Sequence, residues 1–286
     1  MIIEYLLIII SFMAVIFSVI VDIKIREVPD WISYGLITAG LGLRGLWSLS
    51  SGDYTFILYG LIGFIICWLF GSLMYYTRQW GGGDAKLLMG LGAVYGSYLN
   101  VQFLNPLVNL PFLIIFLINT LIAGSVYSLI WAIFVLFKYR VKIKKEFSLF
   151  DKKLIFGGFL VTLLFSLIFF IVLSNYILLI MISMLVILFF VFVLFILSKK
   201  IEEVGTQKKI NVKNLREGDW PVKNIIINKK IIYKAPGLGL EKNVIKTIQK
   251  SKIKSLLIKE GIPFVPAFLA GLILSLVFGN LLYFIF

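Results

Sequence analysis

The stretch IIEYLLIIISFMAVIFSVIV, residues 2–21, is apolar throughout except for one charge, Glu4. A run of about 20 such residues is long enough to cross the hydrocarbon core of a bilayer as one helix. The run is too long for the apolar region of a cleavable signal peptide, its flank is acidic, and it lacks a small-residue cleavage site. We therefore interpret it as a retained membrane helix.

The rest of the chain repeats this pattern. Its residues are 60% hydrophobic, and the mean hydropathy is +1.02, well above the balance of a soluble protein. Further candidate spans lie at 32–49, 55–75, 85–99, 112–137, 154–173, 176–197 and 262–286. The sequence thus predicts an all-α polytopic membrane protein with about eight transmembrane helices and a small cytoplasmic α/β domain.

The basic residues indicate an orientation for these spans. If the helices alternate from an outside N-terminus, the four cytoplasmic connections hold two, two, seven and sixteen of the 28 Lys and Arg residues, and Arg44 lies within the second helix. Such asymmetry is the positive-inside pattern of a protein in the plasma membrane. The net charge of +14 then indicates anionic membrane lipids as partners, and we expect no nucleic acid.

Four regions follow from this map. Residues 1–100 form the predicted catalytic membrane core, and residues 101–198 add further helices and a basic cytoplasmic loop at 138–153. Residues 199–261 have the composition of a small, basic, cytoplasmic α/β domain, with strands near 222–227, 231–233 and 255–259 and a helix over 240–250. Residues 262–286 form the C-terminal transmembrane helix.

Missing residue types exclude most hydrolytic chemistry. The chain has no histidine and a single cysteine, Cys67, inside an apolar run. Histidine-dependent triads, Cys-His pairs, H-E-x-x-H zinc sites and internal disulfides are therefore excluded. We interpret Cys67 as a small buried side chain, and we predict neither a metal site nor a cofactor. Any acid–base chemistry rests on Asp, Glu, Lys or Tyr.

Two aspartates lie at the predicted membrane boundary. Asp22 ends the first helix, and Asp84 follows Gly81, Gly82 and Gly83 and opens the fourth, so both fall on the same side at similar depth. The simplest interpretation is that Asp22 pairs with a nearby basic residue and Asp84 caps a helix. Three successive glycines, however, carry a backbone cost that makes sense where another backbone comes close, such as that of an extended peptide substrate.

The motif Gly81-x-Gly83-Asp84 matches the GxGD motif of membrane aspartyl peptidases. Its context, residues 80–87, resembles that of type IV prepilin peptidases and in particular archaeal preflagellin peptidases. The segment 22–31, where Asp22 precedes a Pro-Asp pair, and the segment 259–268 resemble further parts of the same family.

This resemblance implies an aspartic endopeptidase in which Asp22 and Asp84 are catalytic. It implies that the enzyme removes the short basic leader of a pilin-like or flagellin-like precursor at the cytoplasmic face. The bacterial branch of the family also transfers methyl groups and carries a cysteine cluster. With one cysteine in the chain, we expect no methyltransferase activity.

The expected mechanism is attack by a water held between two carboxylates that share one proton. The predicted position of Asp84 at a helix N-terminus favours its ionised form, and so favours Asp84 as the base and Asp22 as the acid. Lys86 either tunes Asp84 or extends to lipid headgroups. Glu27 and Asp30 are either solvated surface charges or contacts for a basic leader.

Two other classes fit the same residues. Paired intramembrane carboxylates also occur in cation transporters and channels, although such sites more often lie near the bilayer midplane. A non-catalytic assembly scaffold with the peptidase fold is the third interpretation. Cleavage of a model precursor would separate the enzyme from both.

Overall fold

The computed structural model describes residues 2–96, 110–146, 148–172, 176–227, 230–235, 237–251 and 253–281, which are mostly helical. The elements in chain order are α1 (Ile2–Ile25), α2 (Asp30–Ser51), α3 (Thr55–Tyr76), α4 (Gly82–Tyr95), α5 (Phe112–Lys138), α6 (Arg140–Glu146), α7 (Leu149–Val172), α8 (Tyr176–Thr206), β1 (Gln207–Asn211), β2 (Trp220–Pro221), β3 (Ile225–Ile227), β4 (Lys230–Tyr233), α9 (Lys242–Gln249), β5 (Ser255–Lys259) and α10 (Val265–Val277). The chain divides into two units, one formed by residues 1–128 and 208–286 and the other by residues 129–207.

Four of the described helices are long and apolar enough to cross a membrane. They are Ile3–Ile25, Thr55–Tyr76, Phe112–Lys138 and Met181–Thr206. α10 is apolar but has 13 residues, and α4 has 14. The chain is therefore a multi-pass membrane protein with four candidate spans in its described part, and the map of eight spans stays a prediction.

The helices begin and end close to the predicted spans, with differences that affect the interpretation. α1 runs on to Ile25, so Asp22 lies within its last turn. α8 continues through residues 199–206, which the sequence assigned to the small α/β domain. Residues 97–99, 173 and 282–286, at the ends of three predicted spans, lie outside the described residues.

Contact between glycines places α4 against α3. A side-chain carbon at Gly63 would collide with the main chain of Gly92 and would lie 2.5 Å from the Cα of Gly96. Cys67 is fully buried against Gly92, as its sequence context predicted. Such close approach at small residues is typical of helix packing in membranes, where side chains gain little from leaving lipid. We call this contact the α3–α4 seam, and it fixes the helix that begins beside Asp84.

A buried arginine ties α2 to both of these helices. Arg44 is completely inaccessible to solvent. Its Nη1 donates a hydrogen bond to the carbonyl oxygen of Phe56 at 3.0 Å, and its Nη2 donates to that of Val94. The guanidinium carbon also lies 4.3 Å from the centroid of the Phe56 ring. Because an arginine offers five donors in a rigid fork, one side chain links three helices.

Residues 208–261, here called the module, form an α/β element within the first unit. One sheet has the strand order β1-β5-β2, with β2 antiparallel to β5, and β3 pairs with β4 in a separate antiparallel ribbon. The predicted strands and helix of this region are observed as β3, β4, β5 and α9. The buried apolar side chains form one core around α9: Val212, Leu215, Ile225, Tyr233, Leu240, Ile245, Ile248 and Ile258.

The second unit contains α6, α7, α8 and the end of α5. Its core is a small cluster formed by Val135, Ile143, Ile201 and Val204. The predicted basic loop at 138–153 takes the form of α6 and the first turn of α7, where Asp151 accepts from Lys200 at 3.3 Å. The long apolar helices of this unit have few buried residues. None of the predicted site residues lies in this unit.

Candidate active site

Asp22 is held from outside its own helix. It lies in the last turn of α1 and is 4% exposed. The main-chain N–H of Val265, the first residue of α10, donates to Asp22 Oδ2 at 3.2 Å. A buried carboxylate needs such donors, and the free N–H groups at a helix N-terminus supply them. The predicted pairing of Asp22 with a nearby basic residue is therefore only part of its environment, since a main-chain donor comes to it from a segment 243 residues later.

Asp84 occupies the first turn of α4. Its Oδ2 accepts a hydrogen bond from the main-chain N–H of Gly81 at 3.1 Å, which satisfies a donor at the start of the helix. Gly81 has an extended backbone, and its carbonyl oxygen accepts from the N–H of Ala85 at 3.2 Å. Asp84 thus caps its helix, as the simplest interpretation of the sequence expects, and its side chain stays partly accessible.

The fold brings the two aspartates together. The end of α1 and the start of α4 lie at the same end of the first unit, and Asp22 is near enough to Asp84 for its charge to act on that carboxyl. Two neighbouring carboxylates out of bulk water do not easily carry two negative charges, so such a pair tends to share one proton. A shared proton provides one base and one acid in the same site, which is the requirement for activating a water.

Both aspartates lie at a helix N-terminus. The sequence places only Asp84 at a helix N-terminus, but in the structure Asp22 also lies against one, that of α10. Arg26, four residues after Asp22, adds a further positive charge near it. Helix dipoles therefore favour the ionised form of both aspartates and do not distinguish the base from the acid.

The three glycines before Asp84 differ in what surrounds them. A side-chain carbon at Gly83 would lie 3.0 Å from both the N and the Cβ of Val28, in the connection between α1 and α2. A carbon at Gly82 would make an ordinary contact of 3.6 Å with the ring of Tyr75, and one at Gly81 would lie 3.4 Å from the carboxylate of Asp84. The backbone that comes close to Gly83 is thus the chain's own, at Val28, which makes Gly83 a site-shaping residue.

The other charged candidates separate into a pair and a free group. Lys86 Nζ lies 2.7 Å from Asp30 Oδ1 and 5.5 Å from the centroid of the Tyr34 ring. Lys86 therefore neutralises Asp30 across the start of α2, rather than facing Asp84 alone. Glu27 is exposed, and within the described part of the chain no ion pair or hydrogen bond involves its side chain.

Aromatic side chains hold the starts of α4 and α10 together. Trp80, 5% exposed and directly before the glycines, packs on Phe264 and Phe268 with ring centroids 4.9 and 5.3 Å away. These residues lie in the motif segments 80–87 and 259–268, whose sequence assigns them no role. The presence of aromatic residues in both motif segments is a signal that could have indicated this contact, because aromatic side chains often pack on one another.

One further side chain near the pair was not predicted. Tyr127 of α5 lies close enough to Asp22 and Arg26 for their charges to act on its phenol. Nothing in the local sequence around Tyr127 distinguishes it from the other aromatic residues of a membrane helix. Across the described ranges, no group of three or more His, Cys, Asp and Glu side chains is arranged to hold a metal ion.

A multi-pass membrane protein with two adjacent aspartates at helix ends, one of them in a GxGD motif, falls in the class of GxGD-type membrane proteins. Comparison with known sequences relates part of the chain to one family. Residues 7–137, which carry both aspartates, match the type IV leader peptidase family. This segment is similar to that family, and the resemblance drawn from the motifs is confirmed for it.

Three individual relatives are preflagellin peptidases. The one from Methanocaldococcus jannaschii is 38% identical over 88 residues, covering 31% of this chain and 37% of the relative. Those from Methanococcus voltae and Methanococcus maripaludis are 32% and 31% identical, covering 45% and 51% of this chain and 56% and 65% of the relatives. The chain thus spans less than two thirds of the length of each of these relatives.

Proposed function

We propose that this chain is a membrane aspartyl endopeptidase that removes the short basic leader of a pilin-like or flagellin-like precursor at the cytoplasmic membrane face. The observation that carries the proposal is the meeting of Asp22 and Asp84 at the ends of two helices. The family of residues 7–137 and the names of the relatives support the substrate class.

The chemistry follows from one proton shared by two carboxylates. The ionised member takes a proton from a water held between them, and the water oxygen attacks the peptide carbonyl carbon. The protonated member donates to the carbonyl oxygen, which gives a tetrahedral diol. When the C–N bond breaks, the proton taken from the water passes to the leaving amine, and one diol hydroxyl returns its proton to the carboxylate that had donated. All of these steps use Asp22, Asp84 and water, so the proposal requires no metal ion or cofactor.

The depth of the pair suggests how the substrate lies. A precursor with a basic leader followed by an apolar helix places its junction at the membrane boundary, where both aspartates lie in the proposed topology. The apolar helix stays in lipid and the leader stays in water. Exposed Glu27 is the acidic residue best placed to attract the leader, because Asp30 is already paired with Lys86.

Cleavage of a model precursor by purified protein in detergent tests the activity, with the cut mapped by mass spectrometry. Asp22→Asn and Asp84→Asn each remove one ionisable group with little change of shape, so each should abolish cleavage. Asp53→Asn is the matched control, since Asp53 is an exposed loop residue whose carboxylate accepts hydrogen bonds from Thr55. Substantial turnover by either dyad variant, or a cut in the middle of the apolar segment, would contradict the proposal.

The proposal includes eight spans with both chain ends outside. It rests on the basic residues of the four connections. A reporter fused after Lys199 should then lie in the cytoplasm, and one fused after Phe286 should lie outside. If both fusions report the same side, the eight-span topology is wrong, whatever the outcome of the cleavage assay.

A further inference from the structure

We propose that the module, residues 208–261, positions Asp22 for catalysis, with Arg216 as the residue that holds the end of α1. The inference rests on the proposed function and adds a task for a region that lies outside the matched family segment of 7–137. It is carried by three hydrogen bonds that join α1, the module and the start of α10.

The first bond comes from the module itself. Arg216 Nη1 donates to the main-chain carbonyl oxygen of Ile25, the last residue of α1, at 2.9 Å. The last carbonyl groups of a helix have no donor within the helix, and a positive charge at this end also complements the helix dipole. Arg216 therefore acts as a C-terminal cap supplied by a part of the chain that is distant in sequence.

The second bond runs back from α1 to the end of the module. Arg26 Nη1 donates to the carbonyl oxygen of Gly261 at 2.8 Å. Arg26 has a left-handed backbone, with φ of 59°, while its own N–H still bonds the carbonyl oxygen of Asp22 at 2.8 Å. A left-handed conformation is uncommon for a residue other than glycine. Here the left-handed conformation of Arg26 follows the end of α1, and the Arg26 side chain contacts the segment that leads into α10.

The third bond is made to the carboxylate of Asp22 itself. Gly261 is followed a few residues later by Val265, whose N–H donates to Asp22 Oδ2. The N-terminus of α10 therefore holds the carboxylate of Asp22. Residues 261–264 join α10 to the module, and the module in turn contacts the last turn of α1, which carries Asp22. A shift of the module relative to α1 would move the donor and the carboxylate apart.

Arg216 is well anchored for this task. Its N–H donates to Asp219 Oδ2 at 2.8 Å within a tight turn. That turn is joined to the module core, because the N–H of Gly218 donates to the carbonyl oxygen of Leu240 and the N–H of Leu240 donates to that of Asp219, each at 2.9 Å. Leu240 is 1% exposed. The guanidinium therefore extends from a fixed turn, and it contacts the main chain of α1 rather than the substrate or the reacting atoms.

The test compares Arg216→Ala with Lys213→Ala, which removes the same charge from an exposed position of the same module. Turnover of a model precursor by the full-length chain in detergent gives kcat and KM. We expect Arg216→Ala to lower kcat about tenfold with KM within about twofold of wild type, because a sub-ångström misplacement of a catalytic group has an effect of this size. Lys213→Ala should retain the wild-type kcat, and Arg216→Lys, which keeps a charged donor, should retain more activity than Arg216→Ala.

Hydrogen exchange separates positioning from unfolding. In Arg216→Ala, peptides covering 22–28 and 261–268 should exchange faster, while β5 in the module core should exchange as in wild type. A wild-type kcat in Arg216→Ala, or faster exchange across β5 as well, would overturn the proposal. An inactive wild-type chain would instead count against the proposed peptidase activity, and the exchange measurement would still decide whether Arg216 holds the end of α1.

Discussion

Replacing Gly83 with alanine gives the sharpest test of how the two aspartates are spaced. The added carbon would lie 3.0 Å from the N and the Cβ of Val28 and 3.2 Å from its carbonyl oxygen, whereas ordinary contact begins at 3.4 Å. Val28, on one side of this contact, lies six residues after Asp22. Gly83, on the other side, lies in the first turn of the helix that carries Asp84. Relieving the overlap therefore moves the two motif segments apart.

The size of the effect follows from the overlap. The shortfall is about 0.4 Å, and a misplacement of about 1 Å in a catalytic site costs about a hundredfold in rate. Scaling between these values gives a decrease in kcat of about sixfold for Gly83→Ala. KM should change little, because the added carbon contacts Val28 in the chain's own connection between α1 and α2. Gly83→Val should lose more activity, since a β-branched side chain needs more space.

Gly82→Ala is the matched control, because its added carbon would lie at an ordinary 3.6 Å from the ring of Tyr75. Both variants are assayed for kcat and KM on the model precursor, and thermal unfolding in detergent checks that each is folded. A kcat for Gly83→Ala equal to that of wild type would refute the spacing argument. An equal loss in Gly82→Ala would also refute it, since that result would assign the effect to the flexibility of the glycine run.

Three other predictions follow from contacts described above. Gly63→Ala should lower the free energy of unfolding by about 1–3 kcal/mol through overpacking of the α3–α4 seam, whereas Gly42→Ala, at a position with no atom within 4 Å, should lower it by much less in the same denaturant titration. Arg44→Met should cost about 1–3 kcal/mol, because carbonyl oxygens of α3 and α4 lose a buried donor, and thermal unfolding compared with Gly42→Ala shows whether it does. Glu27→Lys should reduce cleavage of a precursor with a basic leader more than Asp30→Lys does, a ranking that equal losses in both variants would contradict.

Much of the fold is predictable from the sequence because apolar runs and their flanking charges are local signals. The first, third and fifth spans, and the strands of the module, need only such signals. The ends of α4 are harder to predict from the sequence, because a helix that packs between α2 and α3 does not need the length of a lipid-facing span. The continuation of α8 into its charged final turns is not predictable either, because the apolar run that marks the span ends before those turns.

The candidate site is predictable in part. Asp22 and Asp84 stand out because carboxylates at the ends of membrane helices are rare and costly. The donor that holds Asp22 could not be found in this way, because it is a main-chain N–H at Val265, and every residue other than proline has one. Arg216 was equally hidden among the many basic residues of the module, since its distinguishing feature is a contact with a helix end nearly two hundred positions earlier.

The α3–α4 seam has a practical consequence for labelling the protein. The only cysteine of the chain, Cys67, is buried in this seam with no exposed surface. Maleimide reagents should therefore not react with the folded wild-type protein. Fluorophores or spin labels can then be attached at newly introduced cysteines on the module or the connections without first removing Cys67. The same thiol becomes a built-in indicator, because its modification would signal that these two helices have separated.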